Sequence, residues 1–475
     1  MPALAGHISP YSGSWYPGDR ASLSDLLDRL FAESASRTGP ALLPNPAGFV
    51  VPHAGLVYSG RVAAAAYRHI QEAKPRRVVI LGFSHRGAPP GAWIPEVGSY
   101  QTPLGETAVD MTAVEQLLSE GVFRSMKEEA LCDHSVEIQL PLLQKAAPEA
   151  AVVPVYASSL SGAERNAAAQ ALAGLMEPGT VLLASSDFTH YGRSFGYLPF
   201  PPDERTGARL RVLDEGFIEA AGAIDPDFLL RTLDAESATV CGREPIALLL
   251  AAVNALPNAE DFFQRTLDYE TSGDLTGDYS HCVSYAALGY FPWDSFLLGP
   301  EDQRLLLDCV RDTLRHYQET GTARPIPPAR ITPALQRRAG AFVTLEQRGQ
   351  LRGCVGRTSE DEPLTTVVPE MTLAAALQDT RFSPLRPEER DIEVEISILS
   401  PMKRLLEPAR FRVGRDGGYL KVHGIGGLLL PQVAEGRNWT ARDFLAALAR
   451  KAGVSESVYG DPGARLFVFR AQVIS

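Results

Sequence analysis

Three histidines in this chain share one local context. His53 follows the apolar run GFVVP, His85 follows RRVVILGFS, and His190 follows TVLLASSDFT. Neutral imidazole is a donor that suits iron, copper and zinc, so three such groups brought to one place would make a transition-metal site. Further donors are close at hand. Cys241, in ATVCGREPI, precedes a helix-like segment whose positive end would lower a thiol pKa and favour metal binding. Asp187, three positions before His190 in SSDFTH, can complete a coordination shell or orient an imidazole. His134 and Glu137, in CDHSVEIQLP, are spaced i, i+3 and would share one helix face. Each residue also has a plain structural reading. A single histidine after a strand is commonly a loop or buried hydrogen-bonding residue. Cys241 also reads as a small buried hydrophobe, Asp187 as a turn cap, and His134 with Glu137 as a helix start.

These residues gain meaning from the elements that must position them. From Gly48 to about Tyr290, short apolar runs (GFVV, RRVVILG, TVLLA) alternate with helix-forming stretches such as RVAAAAYRHIQEA and GAERNAAAQALAGLM. That alternation is the pattern of an α/β domain around a central sheet. In open α/β sheets, ligands bind in the crevice outside the carboxyl ends of the strands, which is where all three histidines fall. SHCVSYAALGYFPW reads as a last buried strand, and the boundary is placed near residue 296, giving domains 1–296 and 297–475. The second domain opens with an amphipathic helix from about Glu301 to Gln318. The loop TARPIPPARITP follows, with four prolines in twelve residues. Strand-like runs GAFVTLEQ, IEVEISILS, GYLKV and RLFVFRAQV, with a helix around Thr440 to Ala452, make this half α+β.

Composition narrows the function classes. A formal charge of −12 argues against binding nucleic acid, which requires a surplus of Lys and Arg on some surface. No apolar run is long enough to cross a bilayer, and the first residues lack the basic start and apolar stretch of an export signal, so the expected location is the cytoplasm. Five cysteines without CxxC spacing fit reduced thiols rather than a disulfide framework.

The segments VPHAGLVYSG, LGFSH, DHSVEIQLPLL, SSDFTHYG and TVCGREPI resemble the Memo family, in order from SWYPGD to GYFPW. The resemblance implies a fold shared with class III extradiol dioxygenases. It also implies a metal, iron or copper, held by His53, His85 and Cys241, with His190 and Asp187 beside it. The second domain is similar to the AMMECR1 family through GAFVTLEQRGQLRGCVG, LAAALQDTRFSPL, IEVEISILSP and GGLLLPQVAEGRNWTARDFL. Its RGCVG segment sets Cys354 beside Arg352, an arrangement that suits a nucleophile or an anion site, or equally a tight turn with an inward-packed thiol.

The expectation drawn from these readings is a metal-dependent oxidoreductase, with Fe(II) first and copper second. His190 is its general acid or base and His134 the reserve. A His/His/Cys set differs from the two-histidine, one-carboxylate triad of non-heme iron oxygenases, because thiolate favours Cu(I) or Zn. The alternative is a module that binds a redox metal, a small molecule or a peptide without turnover, in a pathway shared with a radical-SAM protein. A third reading makes the second domain the active partner.

Overall fold

The computed structural model describes residues 4–40 and 42–475; the first three residues, part of the stretch read for an export signal, lie outside them. The chain forms two compact units. One comprises Met1–Thr38 and Leu43–Pro292, the other Gly39–Leu42 and Trp293–Ser475. Among the described residues no helix is long and apolar enough to cross a membrane.

The first unit is built on a nine-stranded sheet. Its strands are β1 (Gly48–Val51), β2 (Arg77–Gly82), β3 (Gly91–Pro95), β4 (Phe123–Met126), β5 (Ala151–Ser158), β6 (Thr180–Ser185), β7 (His190–Gly192), β8 (Phe262–Thr271) and β9 (His281–Pro292). They lie in the order β7-β9-β1-β6-β2-β5-β3-β4, with β8 also paired to β9. The four central strands β1, β6, β2 and β5 run parallel. β1, β2 and β6 are buried at every position, as parallel strands covered on both faces must be. Two covering helices are α1 (Leu56–Ala73), with the buried run Ala63 to Ala66, and α2 (Arg243–Asn254), buried from Pro245 to Val253. Because β1, β6 and β2 are adjacent and parallel, the loops carrying His53, Asp187 and His85 leave the same edge of the sheet side by side, and the loop with Asp187 leads into His190 at the start of β7.

The second unit has two four-stranded sheets, each with its own core. The first contains β10 (Ala341–Gln347), β11 (Gln350–Arg357), β12 (Ile392–Leu399) and, from the end of the chain, β17 (Ala471–Ile474). The second contains β13 (Lys403–Arg404), β14 (Gly417–Val422), β15 (Ile425–Leu429) and β16 (Arg465–Phe469). Helices α3 (Pro300–Thr320) and α4 (Leu364–Leu377) supply residues to the first core, and α5 (Ala441–Lys451) to the second. A correction arises at the end of the chain. RLFVFRAQV reads as one strand but forms two, β16 and β17, in different sheets. The switch falls at Arg470, whose buried guanidinium pairs with Asp416 and whose N–H donates to Ser400 Oγ.

Candidate metal centre

His53 is the hub of the site. It is buried just beyond β1, and its backbone N–H donates to Asp187 Oδ1 at 2.8 Å, which ties the loop after β1 to the loop after β6. Its Nδ1 lies 3.0 Å from Ser185 Oγ, which also accepts from Gln139 Nε2. In the tautomer whose Nδ1–H donates to Ser185, Nε2 keeps its lone pair. That Nε2 lies 3.2 Å from Cys241 Sγ. Burial, reinforced by the neighbouring His85, lowers the His53 pKa to about 3, so its ring is neutral at physiological pH.

His85 and His134 face it. Ring centroids are 5.4 Å apart for both His53–His85 and His53–His134, and His85 stacks on His134 at 4.0 Å. His85 Nδ1 lies 2.8 Å from Asp133 Oδ1, and a carboxylate can only accept, so Nδ1 carries the proton and Nε2 is left for a metal. His134 Nδ1 is 3.3 Å from the same oxygen. Burial, then the charge of His53, lowers the His134 pKa to about 3. Burial raises the Asp133 pKa, but the hydrogen bond from His85 and the charge of His134 outweigh it and bring it down to about 2. The pairing depends on Gly82, where a Cβ would come within 2.7 Å of both Ser135 Oγ and Val136 Cγ2. Without it, the one-turn helix His134–Glu137 can lie against the end of β2, and Ser135 Oγ hydrogen-bonds the carbonyl of Phe83.

Among the described residues, two groups of donors with mutual distances within 4.8 Å meet at His53: His53 with His85 and His134, and His53 with Asp187 and Cys241. His85 and Cys241, joined with His53 in the ligand set that the family resemblance implies, fall in different groups. His190 stands at the edge. Its Nδ1 lies 3.1 Å from the Phe188 carbonyl and 3.0 Å from the Thr239 carbonyl, so Nδ1–H donates and Nε2 is the atom left to exchange a proton. Asp187 Oδ1 accepts from the His53 and Ala54 N–H groups, yet burial raises its pKa. The expected lowering of the Cys241 thiol pKa is not found. Burial and the adjacent Asp187 charge raise it, and these outweigh the helix end two residues on. Coordination would therefore displace a proton from sulfur. Tyr11 and Trp15 pack on His134, Phe83 on His85, and Phe195 beside His190, giving the centre an aromatic surround.

Residues 9–289 match the family described as Memo-like protein. This chain belongs to the Memo family. Residues 307–474 match AMMECR1, so a Memo domain is followed by an AMMECR1 domain in one polypeptide. A MEMO1 family protein of Thermotoga maritima is 36% identical over 290 residues, covering 58% of this chain and 95% of that protein. Protein MEMO1 of Danio rerio is 32% identical, covering 58% and 94%. Among solved structures, an uncharacterized protein of Pyrococcus horikoshii is 30% identical, with a TM-score of 0.35, over 37% of this chain and 92% of that one.

Arg352, read in the sequence as a cation beside Cys354, is engaged within the domain. Its guanidinium is held by both oxygens of Glu389, at 3.0 and 2.9 Å, and by the Ser383 carbonyl, so its charge is already matched. Cys354 is half-buried, with Thr344 Oγ1 donating to its sulfur at 3.3 Å and its N–H donating to Asp379. Sequence reasoning passed over Asp133, Ser185 and Gln139, which set the imidazole orientations. Asp133 had a visible signal, as the capping residue directly before His134.

Proposed function

We propose that the Memo domain is a metal-dependent oxidoreductase, holding Fe(II), or alternatively copper, around His53. The observation that carries this reading is the meeting of two donor groups on one buried, neutral imidazole. The hydrogen bond to Asp133 leaves Nε2 of His85 with its lone pair, and in the tautomer of His53 that donates to Ser185 its Nε2 is left likewise, as ligands to a redox metal require. When bound, such a metal supplies one-electron chemistry and polarises a substrate oxygen beside it. The chain's own residues do the rest. His190, its Nδ1–H fixed by two carbonyls, offers Nε2 for proton transfer, and the aromatic rings beside the histidines suit an oxidisable organic substrate such as a catechol.

Metal analysis of protein purified without oxygen, repeated on a His53→Ala/His85→Ala variant, tests the reading. Stoichiometric iron or copper lost in the variant, with oxygen uptake in the presence of a catechol-type substrate, supports it. Absence of metal in the parent after anaerobic loading with Fe(II), Cu(I) and Zn(II) overturns it. A second reading, metal binding without turnover, is favoured by the Cys241 sulfur 3.2 Å from His53 Nε2, a soft donor suited to Cu(I). Bound copper with no oxygen uptake would decide for it.

A further inference from the structure

A second cluster of donors lies in the Memo domain, apart from the centre built on His53. His7, on the strand Gly6–Ile8, meets Cys132 and Glu137, and one donor atom from each lies within 4.8 Å of the other two. Glu137 is 0% exposed and Cys132 3%. Neither carboxylate oxygen of Glu137 accepts a hydrogen bond, and neither does His7 Nε2 make one, although it lies 3.2 Å from Glu137 Oε1. Native interiors rarely leave a carboxylate in this condition, because removing it from water without a donor is strongly unfavourable.

The other side of the His7 ring shows what is needed. Nδ1 lies 3.0 Å from Glu128 Oε2, so in the neutral ring Nδ1–H donates there and Nε2 turns a lone pair toward Glu137. A lone pair and a carboxylate oxygen at this distance require a positive charge between them, either a proton or a metal cation. Cys132 Sγ, 3.7 Å from Tyr100 OH and within reach of both groups, adds a third donor and favours the metal, whose binding would displace the thiol proton. Imidazole, thiolate and carboxylate together are a zinc-type set, and tetrahedral zinc places neighbouring N and O ligands roughly 3.4 Å apart. We propose that His7, Cys132 and Glu137 form a second, buried site for a divalent cation of the zinc class, with three protein ligands and a fourth position left to a non-protein ligand. Its occupation fastens the strand Gly6–Ile8 to the segment 132–137, which also carries Asp133 and His134. The imidazole–carboxylate pair His7–Glu128 orients this site as His85–Asp133 orients the first.

The test uses the full chain with the first centre disabled, as His53→Ala/Cys241→Ser, loaded with Zn2+ or with Co2+ as a spectroscopic probe. The expected result is one tightly held equivalent, with a thiolate-to-cobalt absorption band in the near ultraviolet. That band disappears on adding Cys132→Ser, and a second variant, His7→Gln, lowers affinity at least tenfold while circular dichroism stays that of the parent. No bound equivalent in the disabled background overturns the site, leaving His7 and Glu137 as a proton-bridged pair. A band that survives Cys132→Ser overturns it as well.

Discussion

Asp133 is the residue on which the orientation of the metal centre turns. One carboxylate receives His85 Nδ1–H and the His85 backbone N–H, and caps the one-turn helix through Ser135 N. Asp133→Asn keeps an acceptor for the cap but removes the charge that holds the His85 tautomer. Metal affinity, measured by chelator competition, is expected to fall roughly 10- to 100-fold with little change in Tm. A different carboxylate contributes to acid stability. The hydrogen bonds from Arg352, opposed by a smaller burial effect, lower the Glu389 pKa from 4.5 to about 2. A depressed carboxylate pKa contributes stability that is complete above the unfolded value and is lost as pH falls through the folded one. The contribution should therefore fade between about pH 4.5 and pH 2. Glu389→Gln is expected to lower the AMMECR1 domain's Tm at pH 7, with parent and variant converging near pH 2. A constant gap across that range would refute the assignment.

At the scale of elements, the site depends on how closely α2 approaches the end of β6. Gly242 caps α2, and a Cβ there would come within 2.4 Å of the Ser185 carbonyl and 2.5 Å of Ser186 Cβ, both less movable than a long side chain. Gly242→Ala must push the helix start outward and carry Cys241 with it. A loss of about 1–3 kcal/mol in stability is expected, together with loss of any sulfur-to-metal absorption. Parent-like spectra with lowered stability would remove Cys241 from the shell. The apolar runs leading to β1, β2 and β6 were legible in the sequence because buried parallel strands are nearly continuous in apolar residues, and the histidines beyond them follow from strand direction. Long-range pairings were not. Nothing local in GHIS indicates that His7 meets Glu137, 130 positions later, and Asp133 shows its helix-capping role but not the imidazole it holds. Nor does RLFVFRAQV signal the sheet change at Arg470, because the bonds that hold the corner, to Asp416 and Ser400, come from residues more than fifty positions earlier.

The molecule as a whole carries several cores with no shared membership. Leu298, Leu306, Val343, Val367 and Ile398 belong to one cluster in the second unit, and Leu420, Phe444, Leu448 and Leu466 to another. All the donors of both candidate metal sites lie in the first unit. A ligand that binds only the native state stabilises the cooperative unit that contains its site, by about 2.7 kcal/mol at a free concentration 100 times its Kd. Scanning calorimetry of the full chain is therefore expected to resolve more than one transition, as multidomain chains do. Anaerobic addition of Fe(II) should move upward only the transition that is present in a Met1–Pro292 fragment. Should every transition move together, the two units unfold as one, and the AMMECR1 domain would then contribute directly to the stability of the metal centre.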